Sequence, residues 1–148
     1  MSGLAALFGR GTAGLPPPAP VEFGWLKLPA SPNTCLAAPP GAHPQAHLLT
    51  RPLPIPVEAA WPKLQAVAAG FPRTWKLAEW PERFQAQWVQ RTALLNFPDI
   101  IAAELTSGPA GTGLFLYSRS LFGHADFGVN RRRVEAWLAA LDAELRRG

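Results

Sequence analysis

Sulfur is nearly absent from this 148-residue chain, which has one cysteine, Cys35, and one methionine. A lone cysteine excludes an internal disulfide and the usual four-ligand cysteine zinc sites. Histidine is almost as scarce. His43 and His47 have i, i+4 spacing, but Pro44 and the preceding Pro39-Pro40-Gly41 work against a helix there, and neither metal nor cofactor is expected. Charged residues make up only 16% of the chain, little for a globular domain. No apolar run approaches the ~18 residues of a membrane span. There is no Gly-x-Gly-x-x-Gly, no P-loop and no Gly-x-Ser-x-Gly elbow, so nucleotide chemistry and elbow-type serine hydrolysis have no motif to rest on.

Proline (17) and glycine (13) are plentiful, which disfavours an all-helical bundle. The formal charge of +4 comes mostly from arginine, a residue suited to bidentate contacts with carboxylates and phosphates. Residues 1–20 read as a flexible Gly/Pro-rich arm with little reason to pack, and 21–148 as a single α+β domain. The arm opens with an apolar stretch, Leu4 to Phe8, followed by Arg10. That order is the reverse of a secretory signal, so the expected location is cytoplasmic, with peripheral membrane association through Leu4–Phe8 as the alternative.

Periodicity predicts two helices. One runs from Glu58 to Ala69, with Pro62 in its first turn and Trp61, Leu64, Val67 and Ala68 on its buried face. The other follows Asn130 as N-cap, with Val134, Trp137, Leu138, Leu141 and Leu145 forming one stripe. Strands are expected at Glu22–Leu28, Arg73–Leu77, Arg83–Thr92, Asp99–Ser107 and Thr112–Leu121, with Gly108 to Gly111 as hairpin chemistry. The predicted fold is an antiparallel sheet of about four strands with two helices on one face. Trp61, Trp75, Trp88 and Trp137 fall at expected core positions, whereas Trp25 and Trp80 lie near loops.

Four stretches carry a family resemblance. Phe97-Pro98-Asp99, Ser118-Arg119-Ser120 and the long turn from Gly123 through Asp126, Gly128 and Asn130 to Val134, with Ser31-Pro32-Asn33 upstream, make residues from Val21 onward resemble the DUF1499 proteins. The resemblance implies an α+β fold and no assigned chemistry. One departure stands out. The family's Arg-Ser-x-Ser-Arg strand motif places its arginines where this chain has Tyr117 and Leu121, with Arg119 in the variable middle position.

The turn concentrates the candidate functional groups. As a brace, Asp126 would accept backbone N–H groups, Gly128 would take a positive φ, and Asn130 would cap the helix. Arg131, Arg132 and Arg133 point in different directions at 100° per residue, so one is expected to reach an internal carboxylate while the others stay solvated. The leading expectation is a non-enzymatic protein binding a partner protein or a small apolar or anionic ligand. Its site would gather Arg119, His124, Asp126, Asn130, Arg131 and Arg133 against the sheet. The alternative is a hydrolase acting on a small anion, with His124 or Asp126 as base and Arg119 or Arg131 holding the anion. Arginines interleaved with Trp75 and Trp88 leave weak nucleic-acid binding as a third reading, with no recognisable RNA-binding motif beside them.

Overall fold

The computed structural model describes residues 3–123 and 126–147. Among these, six strands and three α-helices follow one another as α1 (Gly3–Phe8), β1 (Thr34–Ala38), β2 (Leu48–Leu49), α2 (Val57–Ala69), β3 (Thr74–Trp80), β4 (Gln85–Arg91), β5 (Pro98–Gly108), β6 (Gly111–Ser120) and α3 (Val129–Arg146). The strands form one sheet ordered β2-β1-β6-β5-β4-β3. The expected four-strand antiparallel meander is its β3-to-β6 part. β1 extends it antiparallel to β6, and β2 pairs parallel to β1.

Several local expectations are corrected. Glu22–Leu28 is not a strand. A 3-10 turn, Phe23–Trp25, puts Phe23 into the core and leaves Trp25 exposed. The added strand is Thr34-Cys35-Leu36-Ala37-Ala38, which reads as featureless apolar sequence because both its faces are buried. Pro62 is the sixth residue of α2 rather than a first-turn residue, so the Glu58 carbonyl has no N–H at position 62 to accept. Trp75, expected in the core, is 41% exposed on the edge strand β3.

Strand alternation divides the core in two. On one face, α2 and α3 cover Cys35, Ala37, Ala86, Trp88, Ile101, Leu114 and Leu116. There the Trp137 indole lies between Phe71, stacked at 5.3 Å, and Trp88, edge-on at 5.3 Å. Burying such a side chain stabilises the fold by about 2–3 kcal/mol. On the other face Phe23 stacks on Phe115 at 4.9 Å, over Leu36, Ala38, Ala102 and Tyr117.

That second face is where residues 3–20, expected as an arm, make their contacts. Gln87 Nε2 donates to Ala19 O at 2.8 Å, and Gln85 exchanges bonds with the Val21 backbone. Arg91, only 1% exposed, donates to the carbonyls of Ala6, Gly11, Ala13 and Asn96. Asn96 Nδ2 donates to Leu7 O and Gly9 O. A buried guanidinium without a carboxylate is tolerable here because carbonyl oxygens take its protons.

Candidate functional site

β5 begins, β6 ends and α3 begins at the same end of the sheet, so this end gathers the polar residues of the turn. Asp126 accepts the Gly128 N–H through Oδ1 at 2.8 Å and the Asn130 N–H through Oδ2 at 3.2 Å. It therefore satisfies two backbone donors at the α3 start. Gly128 is the N-cap, with φ +86°, and has no side chain to contribute. The cap expected of Asn130 thus belongs to Asp126. Asn130 is the second residue of α3 and fully buried. Its Nδ2 donates to Asp126 Oδ2 at 2.7 Å, Ser120 Oγ at 2.8 Å and Asn33 O at 2.9 Å. Its Oδ1 accepts from the Ser118 hydroxyl and from Arg133 Nη1. Asn33 closes the ring by donating to Gly123 O. One buried amide thus ties together β6, α3, the turn and the chain before β1.

The three arginines separate as their helical angles require. Arg133 Nη1 reaches inward to Asp99 Oδ2 at 2.7 Å. Arg131 pairs at 3.7 Å with Glu135 on the surface, and Arg132 donates to Phe127 O. Burial pushes the Asp99 carboxyl above the ordinary aspartate range, against the pull of Arg133 and Ser120. Burial likewise raises the nearby Cys35 thiol to about 11, which removes it from thiolate chemistry near neutral pH.

Not all the expected site residues meet. Arg119 alternates onto the opposite sheet face, beside Tyr117, Ile100 and the proline run Pro16–Pro18. It cannot join Asp126 and Asn130, whose partners Ser118 and Ser120 lie on the helix face. His124 lies outside the described residues. Ser118 is buried and bonded to an amide oxygen rather than to a base.

Sequence reasoning missed the apolar surround of this network. A bowl of about 670 Å³ opens beside Asp99, Ser120 and Asp126, walled by Leu94, Leu95, Phe97, Phe122, Phe127 and Val129. Its rim is unusually exposed, with Leu94 at 95%, Leu95 at 63% and Phe127 at 91%. Phe127 also has φ +52°, a left-handed backbone that costs a side-chain-bearing residue about 1–2 kcal/mol. The available signal was local, since Leu94-Leu95 is an apolar pair in a turn and Phe127 stands between a capping acid and a glycine.

A model of the family described as Protein of unknown function (DUF1499) matches residues 27–141. Among solved structures, the chain is similar to protein MLL2253 from Mesorhizobium loti. The two are 14% identical, with 77% of this chain and 97% of that one covered and a TM-score of 0.55. It is also similar to an uncharacterised protein from Rhizobium leguminosarum, 12% identical, covering 78% and 95%, with a TM-score of 0.53. At such identities the likeness shows the fold alone. No curated protein matches the chain.

Proposed function

Because the chain belongs to the DUF1499 family, whose description assigns no activity, we propose its function from the site itself. The protein is a non-enzymatic binding protein that takes a small apolar molecule into the bowl above Asp99, Ser120 and Asp126. The observation that carries this reading is Phe127, an aromatic side chain kept on a left-handed backbone and left 91% exposed at the rim. Strain without compensating packing is characteristic of positions kept for contact with something else. The volume also suits a small-molecule site, with apolar walls and a few fixed polar groups.

Charge supports an apolar ligand over an anionic one. Arg133 is committed to Asp99 and Arg131 is paired with Glu135, while Arg119 stands on the other sheet face. The polar groups that border the bowl include two carboxyls, which would repel an anion, and a hydroxyl, and all three can accept bonds from a hydroxyl or amide.

Fluorescence titration with the neutral apolar dye Nile red tests the reading, with a long-chain alcohol and inorganic phosphate as competitors. Saturable uptake displaced by the alcohol but not by phosphate, and lost in Leu95→Asp, is the expected result. Equal dye uptake by the wild type and Leu95→Asp would refute it.

A further inference from the structure

Beyond the bowl, we infer that this end of the sheet seats on an anionic phospholipid surface, with Phe8, Leu94, Leu95 and Phe127 entering the headgroup–acyl boundary. The inference does not require a ligand in the bowl, because Phe8 and Arg10 are not among its lining residues.

Three separate segments bring these side chains to one end. Phe8 is 78% exposed at the last position of α1. Asn96 fixes it there by bonding the carbonyls on either side of it, Leu7 O at 2.9 Å and Gly9 O at 2.8 Å. Asn96 directly follows the Leu94-Leu95 tip, and that tip shares the bowl's rim with Phe127. Leu94, Leu95 and Phe127 project from turns around the mouth of the bowl and Phe8 from a helix end, so the apolar contact consists of projecting tips around a hollow. Such a shape suits insertion between lipid headgroups better than the close-packed core of a protein interface.

Charge is polarised in the same direction. Arg10, Arg73 and Arg132 are exposed around this end. Its carboxyls are occupied, Asp99 by Arg133, Asp126 by backbone amides and Asn130, and Glu135 by Arg131. Glu79 and Glu104 lie towards the far ends of their strands, by the register Glu79↔Ala86 and Gln85↔Glu104. Glu22 is bonded to Arg83 at that far end, and Asp142 and Glu144 ride the last turns of α3. Apolar tips ringed by cations, with most of the carboxylates held towards the opposite end, complement a negatively charged bilayer. No described helix is long and apolar enough to cross a membrane, which agrees with seating on the surface.

The test is co-sedimentation of the full chain with vesicles of phosphatidylcholine, with and without phosphatidylserine. The wild type is expected to bind the phosphatidylserine vesicles and to be released by salt. Phe8→Asp or Leu94→Asp should weaken binding at least about tenfold, and Arg10→Glu with Arg132→Glu should abolish the preference for phosphatidylserine. Leu49→Asp, at an exposed leucine on the far edge strand β2, serves as control and should bind like wild type. A wild-type protein left in the supernatant at low salt overturns the inference, as does an equal loss in Leu49→Asp. Self-association abolished by Leu94→Asp without vesicle binding would reassign the surface to a second copy. Nile red uptake in Phe8→Asp separates the two proposals, since that variant should lose vesicles and keep the dye.

Discussion

Arg133 Nη1 and Asp99 Oδ2 meet at 2.7 Å between α3 and β5, with both side chains more than nine-tenths buried. Arg133 is the fifth residue of α3, close to the helix start, where the dipole weakly opposes a cation. Drawn inward, the same cation opposes the rise that burial imposes on the Asp99 carboxyl.

Arg133→Met is therefore expected to cost about 3–5 kcal/mol, because it leaves Asp99 buried and unpaired. Joint replacement, Arg133→Met with Asp99→Leu, should recover much of that loss. Urea denaturation of the three variants gives the comparison. A single-variant loss below ~1 kcal/mol, the value of a surface pair, would show the pair to be solvated in solution.

Asp126→Ala should destabilise by about 1–2 kcal/mol through loss of the cap on α3. Asp126→Asn should do nearly the same damage, since an amide turned towards the Gly128 N–H presents its own N–H₂ to the two Asn130 donors. Thermal unfolding followed by circular dichroism reads both. Unchanged melting temperatures would mean that the carboxylate is no brace and would reopen the case for Asp126 as a base.

Much of this arrangement was legible in the sequence. The stripe from Val134 to Leu145 and the Gly108–Gly111 hairpin gave the last helix and the central strand pair, because an amphipathic period and a turn signal are local properties. The inward turn of one arginine followed from 100° per residue alone. What could not be read depended on partners distant in sequence. β1 shows no alternation because the helices bury one of its faces while Phe23 and Phe115 bury the other. Asn130 resembles an N-cap until its amide is seen bonded to Ser120 and to Asn33, 97 positions away. Arg119 shares a motif with Ser118 and Ser120, yet a period of two sends it to the other face.

His47 supplies a pH dependence. Its Nδ1 accepts the Leu36 N–H at 2.9 Å, and burial, aided by Arg131, holds its pKa below the usual 6.5. The unfolded chain then takes up a proton before the folded one does. The His47 contribution is fully present above 6.5 and is lost as pH falls through the lower folded value. Urea midpoints measured at pH 7.5 and below 6 should fall less in His47→Gln than in the wild type. Parallel falls would remove His47 from the acid response.

Arg91 governs the N-terminal segment. Its guanidinium bonds the carbonyls of Ala6, Gly11 and Ala13, and hydrogen bonds from a charged group are worth about 1.5–3 kcal/mol each. Arg91→Met should release residues 3–20, so that trypsin cuts after Arg10 much faster while the β3–β6 sheet stays intact. Instant cleavage of the wild type at Arg10 would mean that the segment is a free arm in solution despite these bonds.

Phe127 separates function from stability most cleanly. Its φ of +52° is tolerated far better by asparagine, and its ring is almost wholly in solvent, so the fold loses little when it is replaced. Phe127→Asn should leave stability unchanged or raise it by up to about 1 kcal/mol, while weakening both Nile red uptake and vesicle binding. That opposition is the mark of a residue kept for contact at the expense of folding. A variant that lost stability and binding together would make Phe127 a structural residue and leave the bowl without its strongest support.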